Sequence, residues 1–185
     1  MRITKYLRPY QENIARFLAV LGGGSIALST SKRARPGFFI FAQPFIHEYI
    51  EGGLFKKEEL LIKALEEGGF PPDDGPVGAI RSDHKKSREA AEMMINAAKH
   101  WQAGDEVARS EVGWAASQFT SAVRTHLERL KNLIFPLLEQ TVTVEDEHRI
   151  SEGMNNLIFE GSLMEGPEKY VKMIEDLEEE LSDWK

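Results

Sequence analysis

Apolar residues recur along this chain at spacings of three and four, with little alternation at two, and that period predicts helices rather than strands. A first helix is expected from about Tyr6 to Leu21, with Tyr6, Tyr10, Asn13, Phe17 and Val20 on one row; Gly22, Gly23 and Gly24 are read as its stop. After a basic loop holding Lys32, Arg33 and Arg35, a second helix from about Gln43 to Glu67 carries the row Ile50, Leu54, Glu58, Leu61, Leu65. The loop from Gly68 to Gly75 leads to a third helix, with Asp73 and Asp74 as caps and Pro76 in its first turn. Its row is Val77, Ile80, His84, Ser87, Ala91, Met94, Ala98. Gly104 and Asp105 make the next turn. The fourth helix, from about Glu111 to Glu139, reads Ala115, Phe119, Ala122, His126, Leu130, Leu133, Leu137, and Pro136 should bend it or end its regular part. A short helix around Glu147 to Ile158 and a terminal one with Tyr170, Ile174, Leu177 and Leu181 on one face complete the chain, both expected on the outside. Four long helices with short to medium connections predict an all-α, antiparallel four-helix bundle with short additional C-terminal helices.

Composition narrows this without changing it. The chain has 185 residues, 42% of them hydrophobic and 29% charged, which suits a single soluble globular domain over residues 1–185. Thirty acidic against 23 basic residues give a net charge of -7, which repels a phosphate backbone, so no nucleic-acid partner is expected. The stretch Phe17 to Leu28 is too short and too glycine-rich to span a bilayer, and it follows a long polar segment rather than a short basic one. No membrane partner is expected, and the location expected is cytoplasmic. With no cysteine, thiolate chemistry and Cys-based metal sites are excluded, so a metal would have to sit on His, Asp or Glu.

Each of the four apolar rows carries one polar residue near its middle: Asn13, Glu58, His84 and His126. A single inward His is usually a hydrogen-bonded core residue. Two such His together with a carboxylate are different, because a buried carboxylate is costly unless it is paired, protonated or metal-bound. Helix bundles build metal sites from inward Glu and His on facing helices. His47, His100 and His148 fall off the rows and read as solvated, as does the acidic run from Glu175 to Glu180. No phosphate-binding glycine loop is present, since Gly22 to Gly24 lack the following Lys and Ser or Thr.

Nearly the whole chain resembles the hemerythrin family, specifically bacterial hemerythrin-like (HHE) domains. The resemblance is carried by Lys57, Glu58, Glu59 as a KEE triplet, Gly75, Pro76, Val77 as GPI, Asp83, His84 as the acidic-His pair, and the segment THLERLKNLIFP from Thr125 to Pro136. It implies a four-helix bundle with a two-iron site. Measured against the family's ligand pattern, three positions are changed: Asn13, Leu54 and Leu130 stand where ligands are usual, with Lys131 beside the last. Glu58, His84 and His126 remain, and in the family the two retained His serve one iron while the Glu bridges both. Arg88 and Glu59 are candidates to support the ligands from behind.

The resemblance therefore implies a binding or sensing module holding at most one iron or zinc ion on Glu58, His84 and His126, with room for a small ligand at its open position, and not a di-iron oxygen carrier. The competing reading is a metal-free hemerythrin-fold scaffold or interaction domain, in which Leu54 and Leu130 fill vacated space and Glu58 pairs with His84 or His126. A third is a mononuclear non-haem iron enzyme, for which the sequence supplies neither a substrate pocket nor a general base.

Overall fold

The computed structural model describes residues 3–162 and 166–185. Helix α1, Thr4–Ala27, is followed by the short α2, Pro36–Phe41; a π-helical segment, Phe45–Phe55, runs directly into α3, Lys56–Glu67. Then come α4, Gly75–Gln102, and α5, Ala108–Arg129. A second π-helical segment, Leu130–Ile134, passes into α6, Phe135–Thr141, and α7, Val144–Ser162, and α8, Glu168–Asp183, end the chain. The protein is all-helical, with no strand among the described residues. None of the helices described is long and apolar enough to cross a membrane.

The predicted rows of the middle helices are the buried faces. All five members of the Ile50 to Leu65 row and all seven of the Val77 to Ala98 row are buried, so the period read from the sequence is the period of the core. The α4 cap is also as expected: Asp74 accepts a hydrogen bond from the Gly75 amide at 2.8 Å, and Pro76 occupies the first turn, where its missing donor costs nothing. Helix α4 packs most extensively on α5 and also touches α2 and α3, while α1 lies against α5, α8 and the first π segment. Helix α7 covers α3, and α8 covers α1, where Arg16 Nε donates to Glu178 at 2.5 Å.

Three expectations are corrected. Helix α1 does not stop at Gly22 to Gly24 but continues to Ala27, and none of these glycines has positive φ. Two of them serve close approach: a Cβ on Gly24 would lie 2.5 Å from the Phe38 ring, and one on Gly23 2.8 Å from Leu181. Gly24 and Gly23 are notches that seat α2 and α8, whereas a Cβ on Gly22 would meet nothing within 4 Å. Helix α2 itself was not expected. Its hydrophobic residues are consecutive rather than periodic, and Phe38 and Phe39 are buried against distant segments, α4 and Trp184 from the far end of the chain among them.

The third correction lies in the fourth predicted helix, whose row is buried at Ala115, Phe119, His126 and Leu130, with Val123 rather than the half-buried Ala122 between them, and then slips. Leu133 is 44% exposed, while Ile134 and Leu138 are fully buried. The cause is the second π segment. Pro136 cannot donate to the turn before it, and the wider π turn ahead of α6 takes up the misfit while advancing the buried face by one residue.

Candidate metal centre

Glu58 sits in the first turn of α3, immediately after the first π segment; His84 lies in the second quarter of α4; His126 lies in the last turn of α5, immediately before the second π segment. Both π segments thus end or begin within four residues of a site residue. Such widened turns rotate the side chains that follow relative to those before, a device often found beside functional groups.

The three side chains meet in the core. One ligand-type atom from each of Glu58, His84 and His126 lies within 4.8 Å of the others, and all three residues are buried. His126 Nε2 is 2.6 Å from Glu58 Oε1, and His84 Nε2 is 3.3 Å from Glu58 Oε2. An ion bound at about 2.0 to 2.2 Å to each ligand needs ligand atoms roughly 3.4 Å apart in a tetrahedral arrangement. The Glu58 and His84 pair is already near that spacing, and the Glu58 and His126 pair would open by less than about 1 Å.

A second row of groups holds this triad in place. His126 turns its other nitrogen, Nδ1, to Asp83 Oδ2 at 3.1 Å, and Arg129 Nε donates to the same oxygen at 2.7 Å. Asp83 therefore orients the imidazole so that Nε2 faces Glu58, the carboxylate–histidine arrangement found behind metal-ligating His. The ring of His84 is fixed differently: it stacks on Phe55, centroids 3.9 Å apart and planes 19° apart. Phe55 also meets His126 edge-on at 5.4 Å.

The electrostatics follow from this geometry. Burial alone would push the Glu58 carboxyl up, yet the charge and hydrogen bonds of His126 and His84 hold it below the usual carboxylate value. Asp83 is likewise held low against its burial, by His126 and Arg129. Burial would lower His126, but Glu58 and Asp83 on its two sides raise it to about 9. Two carboxylates thus face an imidazolium and a guanidinium. Among the described residues no buried side-chain nitrogen or oxygen lacks a hydrogen-bond partner.

The changed positions have a different chemistry. Leu54 and Leu130 are fully buried in the hydrophobic core. Asn13 donates from Nδ2 to the Tyr49 hydroxyl at 2.9 Å, and that hydroxyl approaches the Pro9 carbonyl at 3.4 Å. Burial pushes Tyr49 up to about 12, so it stays a neutral donor. Beside it the buried Lys57 donates to the Tyr10 hydroxyl at 2.9 Å and lies 4.5 Å from the centre of that ring. Among the described residues no carboxylate or imidazole hydrogen-bonds to this group.

The supporting residues expected from the sequence are not the ones observed. Glu59 and Arg88 are both exposed, Glu59 facing Arg81 at 4.0 Å, and Lys131 is exposed as well. Asp83, Arg129 and Phe55 take their place. Asp83 directly precedes His84, and neighbours in a helix point about 100° apart, so the pair reads as one inward and one outward residue. Only the closeness of α4 to α5 lets Asp83 reach His126. The solvated reading of His47, His100 and His148 agrees with the structure, where all three are exposed and His47 pairs with Glu51 at 2.9 Å. Comparison of the chain with family models, curated proteins and solved structures gives no match.

Proposed function

We propose that this chain is a hemerythrin-like four-helix bundle, built on α1, the continuous Phe45–Glu67 stretch, α4 and α5, whose reduced site binds one divalent transition metal on Glu58, His84 and His126. One observation carries the reading: two imidazole nitrogens and one carboxylate from three different helices converge in a buried space, with Asp83 already orienting one imidazole. A two-His, one-carboxylate set with open positions suits iron or zinc and leaves room for a small ligand, which fits a binding or sensing role. The exposed position of Lys131 supports the reading, because no cation from that residue competes inside the core. At most one metal is expected, since Leu54 and Leu130 offer no ligand atom and the Asn13 amide is used by Tyr49.

A second reading has its own support. The salt-bridged chain Arg129, Asp83, His126, Glu58, His84 satisfies itself without an ion, as a metal-free scaffold requires. Element analysis of protein purified without a His tag, followed by melting with chelator and with one equivalent of Zn(II) or Fe(II), separates the two. Metal binding predicts up to one equivalent bound and a melting temperature raised by linkage. A melting temperature indifferent to metal, together with no metal retained on purification, overturns it in favour of the scaffold.

A further inference from the structure

Behind the Asp83 and Arg129 pair, the outer seam of α4 and α5 opens into a groove of about 390 Å³, within the size range of small-molecule sites. Its two ends differ in chemistry. At one end stand Arg129 and Lys86, with Asp83 held by Arg129 and Glu89 one turn beyond Lys86; at the other, Met93 and Trp114, two of the exposed large hydrophobic side chains, 46% and 58% exposed. The span between the ends is long: Trp114 and Arg129 are fifteen positions apart on one helix, about 22 Å along its axis at 1.5 Å per residue, less the reach of both side chains.

The cationic end has spare capacity. Arg129 spends Nε and Nη2 on Asp83, and among the described residues Nη1 makes no hydrogen bond. Its side chain is 31% exposed, so this edge of the guanidinium is open to a second carboxylate. Lys86, on the facing helix, has no ion-pair partner among the described residues, while the nearby Glu89 pairs with Lys85. The Thr125 hydroxyl lies one turn before Arg129 in the same lining. Towards the other end the short side chains of Ala90 and Ala122 form an apolar step, and Ser121 and Gln118 line the way from there to Met93 and Trp114.

We infer that this seam is a binding site for a linear carboxylate with an apolar tail, a medium-chain fatty acid, with its head on Arg129 and Lys86 and its tail along Ala90 and Ala122 to Met93 and Trp114. Charge at one end and an exposed indole and thioether at the other match an amphipathic anion, and the length of the groove selects a chain of about ten carbons over a compact anion such as phosphate. A neutral ligand would leave the cations unused; a short one would leave the indole bare. The site is complete without metal at Glu58, so it is tested in chelator and its failure leaves the metal reading untouched.

The probe is decanoate, below its micelle concentration, measured by calorimetry and by fluorescence of Trp114, the one exposed indole beside the buried Trp101 and Trp184. Saturable binding of one decanoate per chain is expected, with hexanoate, decanamide and inorganic phosphate each at least tenfold weaker. Lys86→Glu and Trp114→Ser change exposed residues and preserve the fold, and each should weaken decanoate at least fivefold; Arg129→Gln should do the same but also strips Asp83. Absence of saturable binding, several decanoates per chain, or equal binding by wild type, Lys86→Glu and Trp114→Ser would overturn the proposal.

Discussion

Two groups of inward residues in this protein began from the same position on four helical rows and ended with opposite chemistry. Around His84 and His126 the core holds carboxylates, imidazoles and a guanidinium within hydrogen-bonding distance of one another. Around Asn13 and Tyr49 it holds an amide, two phenols and a lysine, with no anion hydrogen-bonded to them among the described residues, while Leu54 and Leu130 are packed as ordinary core. The difference is one of charge placement. A buried anion is tolerable only beside a cation, and Glu58 has His126 within 2.6 Å; where no anion is buried, neutral hydrogen bonds and aromatic packing suffice. An interior built this way is asymmetric, and only the first group can trade a proton for a metal.

The largest effect should come from breaking the charged group at its centre. Glu58→Ala leaves the His126 imidazolium facing a cavity, and removal of one partner from a buried pair costs about 3 to 5 kcal/mol. Denaturant melts in chelator should show that loss, and calorimetry with Zn(II) should show binding fall below detection. The paired replacement Glu58→Leu with His126→Leu removes both charges together and should recover most of the loss, since well-packed apolar replacements of buried ion pairs are often neutral or stabilising. If the double variant is as unstable as Glu58→Ala, the polar triad is not the source of the cost.

Making the second group resemble the first sharpens the comparison. Asn13→His, Leu54→His and Leu130→Glu combined should raise the metal content from at most one to two per chain by element analysis. In chelator the same variant should lose about 2 to 5 kcal/mol, because polar groups enter positions now filled by buried leucine. A stoichiometry that stays at one would mean that ligand identity is not what limits this side.

Asp83→Asn keeps the shape behind His126 but removes the charge that fixes its tautomer. Metal affinity should drop about 10- to 100-fold, as for other residues that orient a ligating His. Glu59→Gln and Arg88→Gln, both exposed, should leave it unchanged.

The pH response separates the limbs. His126 rises from 6.5 to about 9 on folding, so its stabilising contribution is complete below pH 6.5 and is lost as pH rises through 9. Glu58 and Asp83 are held low, so their contribution is present at neutral pH and is lost as they become protonated in acid. Metal-free stability should therefore decline on both sides of neutrality, while Zn(II) affinity should climb between pH 6.5 and 9 as the metal displaces the His126 proton. An affinity flat across that window would show that His126 is not a ligand. The smallest effect is coupling: decanoate on Arg129 should shift Zn(II) affinity about fivefold through the Asp83 and His126 bonds.

Helix period, the α4 cap and the inward direction of Glu58, His84 and His126 were all legible in the sequence, because each depends on spacing along one helix. The candidate ligands could be named for the same reason: a polar residue in the middle of an apolar row is conspicuous. What could not be read were the features that depend on two distant segments meeting. Asp83 and Arg129 come into play only because α4 and α5 lie side by side, and Phe55 only because the π segment turns it onto His84.

The same distinction runs through the fold. Amino-acid order by itself determined which positions are apolar, how they repeat, and that no thiol is available, since these are properties of composition and period. Tertiary structure alone decided that two glycines, Gly23 and Gly24, sit inside a helix as notches for α8 and α2, that the core face slips by one residue at Leu130–Ile134, and that an outward-reading aspartate orients an inward histidine. The physical reason is that burial period is set by bonds between near neighbours in a helix, whereas close approach, phase slips and cross-helix hydrogen bonds are set by partners that the local sequence does not contain.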